Sequence, residues 1–209
     1  MMTDADKYTT ISSPSTGDFR DRGSKFLAYA YPVASTTGIK EKLQALRKEH
    51  PKANHHCYAW RLGTDGNQFR AVDDGEPAGS AGKPILGQID SMEITNVLVV
   101  VVRYFGGTLL GVPGLINAYK TATALALEAA PKTEKWIETL YEITFDYPAM
   151  GEVLYLLKQA EATIYQQDLQ LFCVVKAGLP VGHSSAYVNK LSEIRGVIVK
   201  SQQEMPEER

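Results

Sequence analysis

Two glycine-rich segments carry the residues best suited to chemistry. The first is Asp73-Asp74-Gly75-Glu76-Pro77-Ala78-Gly79-Ser80-Ala81-Gly82-Lys83-Pro84. Three carboxylates crowd a turn; glycines, the Ser80 hydroxyl and Lys83 then lead into an expected helix at Pro84–Ser91. Free backbone N–H groups at a helix start attract anions, and glycine lets a ligand approach the chain. Asp73, Asp74 and Glu76 suit a hard cation such as Mg²⁺ bridging to phosphate, or a general base. The segment is not a Walker A loop, because Pro77 stands where glycine is needed and Pro84 where the magnesium-holding hydroxyl belongs. An acidic turn that bends into a helix accounts for the same residues without any ligand.

The second segment is Arg103-Tyr104-Phe105-Gly106-Gly107-Thr108-Leu109-Leu110-Gly111-Val112-Pro113-Gly114. An expected buried strand, Asn96–Arg103, ends in an arginine whose planar fork suits phosphate or carboxylate. Tyr104 and Phe105 offer faces for stacking on a base, and Gly106 and Gly107 open the backbone before a helix at Gly114–Ala130. The spacing is not GxGxxG, so a dinucleotide fold is not indicated. A salt bridge from Arg103 to Asp73 or Asp74, with the aromatics in the core, is the competing structural account.

Weaker signals lie elsewhere. In His55-His56-Cys57, strand alternation places His55 with Cys57 and Ala59, and His56 with Tyr58 and Trp60. A zinc site lacks further ligands, and a Cys-His pair requires side chains that meet. His55 therefore reads as a polar group on a binding face or as a structural histidine. Lys25, with Arg20, Arg22, Arg47, Lys48 and Lys52, offers a phosphate-contacting surface. His183-Ser184-Ser185 has no GxSxG context and reads as a helix cap. No catalytic residue, metal set or cofactor is assigned.

The elements that must position these groups divide near Pro131, into 1–131 and 132–209. The first part carries 14 basic and 13 acidic side chains, the second 8 and 11, so the charge available to an anion lies mainly in the first. Its expected elements are a strand at Ser24–Val33, a helix capped by Thr36 or Thr37 and running to His50, strands Cys57–Leu62 and Gln68–Val72, and those named above. A polar joint at Lys132–Lys135 precedes an alternating strand at Ile137–Tyr147. Then come a helix after Pro148, strands Ala162–Gln166 and Leu169–Ala177 joined at Gln167-Asp168, a helix capped by Ser184 or Ser185, and a strand at Val197–Val199. That order is β-α-β-β-α-β, the split βαβ of ferredoxin-like domains. The fold class is α+β.

The whole chain has 209 residues, a formal charge of −2, 44% hydrophobic and 22% charged residues. These values fit a globular protein and exclude a strongly basic, indiscriminate DNA binder. The longest aliphatic run, Val97–Val102, is too short to cross a bilayer, and Met1–Phe19 has no apolar stretch of a signal peptide. With only Cys57 and Cys173, a reduced, cytoplasmic protein with no membrane partner is expected.

Gly23-Ser24-Lys25-Phe26, the ANHHCY segment at Ala53–Tyr58, Asp73–Pro84 and RYFGGTLLGVPGLINAY at Arg103–Tyr119 together resemble the YigZ/IMPACT family. The resemblance implies a first domain like the second domain of a small-subunit ribosomal protein. It implies a ferredoxin-like second domain akin to domains of elongation factor G. Residues carried over are Lys25, His55, Asp73, Asp74, Glu76, Lys83 and Arg103, with departures at Ser80, where relatives often have Thr, and at Asn54 and His56. Eukaryotic relatives restrain a starvation-responsive kinase through an additional N-terminal domain. The signature here begins near Gly23, so that domain and its partner are not expected. Bacterial members have been suggested to bind nucleic acid or the translation apparatus. The leading expectation is an RNA- or ribosome-associated protein, or one meeting a translation-machinery protein, that regulates translation and grips phosphate at the two Gly-rich helix starts. A metal-assisted enzyme on a small phosphorylated or carboxylated molecule and a protein–protein adaptor are the alternatives.

Overall fold

The computed structural model describes residues 6–202. They fall into two compact units, one spanning Tyr8–Lys135 and the other starting at Trp136 and including Lys7. In the first unit, with Lys7 and Trp136 as the boundary residues of its end strands, β1 (Lys7–Ile11), β2 (Ser15–Asp21), β3 (Ser24–Pro32), α1 (Thr36–Glu49), β4 (His55–Leu62), β5 (Gln68–Val72), α2 (Gly82–Ser91), β6 (Val97–Tyr104), α3 (Gly111–Ala129) and β7 (Lys132–Trp136) follow in order. Five strands form one antiparallel sheet, β2-β3-β6-β4-β5, and β1 pairs with β7 apart from it.

The aliphatic run of β6 explains the layering. A strand with one solvated face alternates, whereas one covered on both faces reads as continuous apolar sequence. Val97, Val99 and Val101 pack with Phe26, Cys57 and Ala59 under α2 and α3. Leu98, Val100 and Val102 pack with Ile39, Leu46 and Leu62 beneath α1. Each fully buried aliphatic side chain of this kind contributes about 1.5–3 kcal/mol. Adjacent residues of β6 therefore point into different layers, so Arg103 lies on the α2/α3 face and Tyr104 on the α1 face.

Several expectations shift. The first helix is capped by Ser35, whose side chain accepts from Gly38 N at 3.2 Å, rather than by Thr36 or Thr37. Helices α2 and α3 begin at Gly82 and Gly111, ahead of Pro84 and Gly114, which mark their expected starts. Strands β1 and β2 had no counterpart in the sequence reading. In β2 the partly buried positions are Ser15, Gly17, Phe19 and Asp21, so only Phe19 gives an apolar signal. The expected polar joint at Lys132–Lys135 is part of β7, because its backbone pairs with β1 whatever its side chains are.

The second unit contains β8 (Glu138–Asp146), a 3₁₀ turn at Tyr147–Ala149 that holds Pro148, α4 (Met150–Gln159), β9 (Thr163–Leu169), β10 (Phe172–Pro180), α5 (Ser184–Glu193) and β11 (Ile198–Gln202). The strand order β11-β8-β10-β9, antiparallel throughout, is the ferredoxin-like arrangement. Ile143, Phe145, Val153, Leu157, Val175 and Leu191 fill its core. Gln167 and Asp168 belong to β9, and the chain reverses just after Leu169 instead. Helix α5 has no side-chain cap, contrary to the reading of Ser184 and Ser185; His183 precedes it, its Nε2 at 2.9 Å from the Ala160 carbonyl.

Gly106 tests the packing of the loop after β6. A Cβ there would collide with the Gly23 carbonyl group and the Ser24 nitrogen, and Gly106 N donates to Ser24 Oγ at 3.1 Å. Gly106→Ala is expected to cost about 1–3 kcal/mol in chemical denaturation.

A cleft over a buried carboxylate

The site grows out of one register pair. His55 at the start of β4 lies opposite Arg103 near the end of β6. Both belong to the sheet face beneath α2 and α3, and the loop joining β5 to α2 places Glu76 against them. Arg103 Nη1 donates to Glu76 Oε1 at 2.5 Å, and Tyr119 OH, from α3, donates to the same oxygen at 2.8 Å. His55 Nε2 stands 3.8 Å from it. The side chains of Arg103 and Glu76 are only 6% and 3% exposed, which makes this a buried ion pair and not a surface one. A buried carboxylate needs such donors, because it loses the water that would otherwise solvate it. Arg103 also lies 5.4 Å from the ring of Phe26 and 5.6 Å from that of Phe105. Its Nε is buried with no hydrogen-bond partner.

Two further residues tie this cluster to the sheet. His55 Nδ1 is 2.9 Å from the Asp74 carbonyl, which only accepts, so Nδ1 carries a proton and Nε2 is left toward Glu76. Cys57 Sγ lies 2.9 Å from the Asp73 carbonyl oxygen and 3.2 Å from Tyr119 OH, and its single S–H donates to one of them at a time. Burial pushes the Cys57 thiol far above its ordinary range, and burial likewise raises the Tyr119 phenol, so neither is an ionised nucleophile.

The carboxylates expected to meet a cation or act as bases hold the loop instead. Asp73 accepts from the backbone N–H groups of Gly79, Ala81 and Gly82 at 2.8, 3.0 and 2.8 Å. It thereby fills the start of α2, where the sequence suggested a phosphate. Asp74 accepts from His56 N at 2.7 Å and Arg47 at 2.9 Å. Burial works to raise both carboxyls, but backbone donors, joined at Asp74 by Arg47, outweigh it and hold them below the ordinary value. Ser80 is buried and donates to the Pro77 carbonyl at 2.7 Å. Lys83 is exposed, in the first turn of α2. Gly82 cannot carry a side chain, because its Cβ would lie 2.5 Å from Val72 N. The salt bridge of Arg103 thus goes to Glu76, and not to Asp73 or Asp74.

A cleft of about 460 Å³ opens over the Glu76–Arg103 pair. Asn54, His55, Glu76 and Arg103 give its polar lining; Phe105, Leu109, Leu110, Val112 and Leu115 give its apolar wall. Leu109 is 82% exposed and Phe105 and Val112 are nearly half exposed, so the rim is apolar and open. Asn54 Oδ1 accepts from Phe105 N at 2.8 Å and braces that rim. Of the residues proposed from sequence, His55, Glu76 and Arg103 meet in this cleft. Gly106 and Gly107 lie in the loop between Phe105 and Leu109, with Gly107 at φ +86° and open space where a Cβ would stand. Lys25 and Tyr104 are on the other face of the sheet. There Lys25 lies 3.5 Å from Asp18, and Tyr104 OH is 2.9 Å from His50 Nδ1.

Tyr119 and the Leu109–Val112 wall were not singled out from sequence as site residues. A signal for Tyr119 existed: it is the one hydroxyl-bearing aromatic on the Ala118, Ala122, Ala126 face of α3, and a buried tyrosine needs a partner for its OH. Among the described residues no group of three or more His, Cys, Asp or Glu is placed to hold a metal, and no helix is long and apolar enough to cross a membrane.

These features define a two-domain α+β protein with a recess on its first domain. The family model for the Impact N-terminal domain matches residues 22–127. The IMPACT family member YigZ of Escherichia coli is 35% identical over 172 residues, 81% of this chain and 84% of that protein. A Thermus thermophilus IMPACT family member is 42% identical over 137 residues, 65% of this chain and 72% of its own. A solved structure described as that of a hypothetical protein is 31% identical and superposes with a TM-score of 0.73, covering 98% of this chain and all of the other. This chain belongs to the IMPACT family.

Replacing Asp73 by Asn removes a charged acceptor from three N–H groups and is expected to cost about 1–2 kcal/mol at neutral pH. Because the native Asp73 carboxyl sits below its ordinary 3.8, the stability it contributes is present above that value and is lost as pH falls through the native one. Urea denaturation from pH 7 downward checks this: the gap between wild type and Asp73→Asn closes only below about pH 4.

Proposed function

We propose that this protein is a cytoplasmic, translation-linked binding protein that engages the translation apparatus through the cleft on its first domain. Membership of the IMPACT family, with the regulation of translation that its sequence motifs imply, supports the process. The mode is supported by one observation: an open apolar rim above a buried, internally neutralised Glu76–Arg103 pair. Arg103 is spent on Glu76, Lys25 and Arg20 lie near Asp18, and Arg47 is held by Asp74. These are four of the cations on which a phosphate-gripping surface is expected from the sequence, alongside Lys83, Arg22, Lys48 and Lys52, and their pairing supports contact with a protein of the translation machinery over RNA phosphates.

A second reading, an enzyme on a small carboxylated molecule, draws on His55. Its Nδ1 is anchored on a carbonyl, which leaves Nε2 in the cleft in the orientation of a general base.

Co-sedimentation of the tagged protein with ribosomal particles and their associated factors tests the first reading. Leu109→Asp, at an exposed position, is expected to leave stability unchanged and weaken association about tenfold or more. Association is expected to change little between about 50 and 200 mM salt, whereas phosphate-dominated binding falls by orders of magnitude over that range. Steep salt dependence with no effect at Leu109 would overturn this mode of contact.

A further inference from the structure

We propose that the cleft binds a carboxylate carried on an apolar body, with the carboxylate seated between the start of α3 and Arg103. The proposal rests on the reading of the cleft as the functional site and names its ligand class.

Two independent features point to an anion there. Helix α3 runs for 19 residues, has no side-chain cap, and has no acidic residue in its first turn. Such a helix end carries roughly half a positive charge and N–H groups that lack intrahelical partners. Gly111 and Val112 of that first turn line the cleft. Start α2 is the contrast within the same unit, since Asp73 already supplies its carboxylate. The second feature is Arg103, which lines the same cleft with a side chain 6% exposed and whose buried Nε has no partner. A buried donor without an acceptor is costly, and a ligand oxygen would satisfy it.

Charge and shape narrow the class. Glu76 cancels the formal charge of Arg103, and no lysine lines the cleft. The net attraction is that of a helix end and one directed N–H, which suits a single negative charge better than a doubly charged phosphate. The planar carboxylate matches a guanidinium donor on one oxygen and backbone N–H groups on the other. Phe105, Leu109 and Leu115 then offer contact for an aliphatic or aromatic body, and a cleft of about 460 Å³ has the size of a small-ligand pocket. A small carboxylic acid and the C-terminal residue of another protein chain share this chemistry.

The test is an amide NMR titration of the full chain with phenylacetate, phenylacetamide and inorganic phosphate. A parallel pair of short peptides ends in Leu, with a free or an amidated C-terminus. Phenylacetate is expected to shift Gly111, Val112 and His55, and phenylacetamide to bind about tenfold more weakly, the loss of one charge-assisted contact. Val112→Glu places a carboxylate in the first turn of α3 at an exposed position, where it favours the helix while occupying the site. That variant is expected to bind phenylacetate about tenfold or more weakly than Val112→Gln, whose neutral side chain has the same length. Tighter binding of the free-ended peptide than of phenylacetate assigns the ligand to a protein terminus; the reverse assigns it to a small acid. Equal binding of acid and amide, full retention in Val112→Glu, or tighter binding of phosphate overturns the proposal. If association with the translation apparatus still depends on Leu109 in that event, the ligand class fails and the functional reading stands.

Discussion

A carboxylate removed from water must be met by donors, and in this protein that constraint fixes the centre of the first domain. Glu76 arrives on the loop after β5, Arg103 at the end of β6 and Tyr119 from the middle of α3, and all converge on one oxygen. Because each donor comes from a different element, the loop, the central strand and the longest helix are held in one arrangement. Removing any partner leaves a buried group unsatisfied. His55 and Cys57 on β4 add the fourth element through the Asp74 and Asp73 carbonyls and Tyr119.

The rest of the acidic loop serves this centre. Asp73 folds residues 79–82 around its carboxylate, and Asp74 links α1 to the start of β4 through Arg47 and His56 N. The left-handed backbone at Asp74 and Gly75 lets the chain reverse between these two carboxylates and Glu76. Charges that look in sequence like a ligand set are therefore consumed internally. What the cluster leaves open is narrower: a polar floor, an apolar wall and the uncapped end of α3. A translation-linked binding role fits such a recess, and the neutralised floor explains why contact by shape and a single charge is favoured over a broad grip on phosphate.

Much of this was legible in the residues. Val97–Val102 marks a strand buried on both faces, alternation along Ile137–Tyr147 marks the first strand of the ferredoxin-like unit, observed at Glu138–Asp146, and His55, Glu76 and Arg103 lie in the segments singled out for chemistry. Two kinds of feature were not legible. Strands β1 and β7 owe their existence to backbone pairing with each other across the domain, and β2 to an edge pairing with its neighbour β3, and side chains such as Thr9, Gly17 and Lys132 carry little trace of it. The choice of Glu76 over Asp73 and Asp74 as partner of Arg103 depends on a loop turning over itself, which spacing alone does not determine. For the same reason Lys25 and Tyr104, adjacent in sequence to residues of the α2/α3 face, fall on the opposite one: a strand reverses direction at every residue.

The most direct measurement is a double-mutant cycle in chemical denaturation with Arg103→Met, Glu76→Leu and both together. If the buried pair organises the domain, each single change leaves an uncompensated charge and costs about 3–5 kcal/mol, while the double variant recovers most of that loss. Losses that simply add, with the double variant less stable than either single one, would contradict the account.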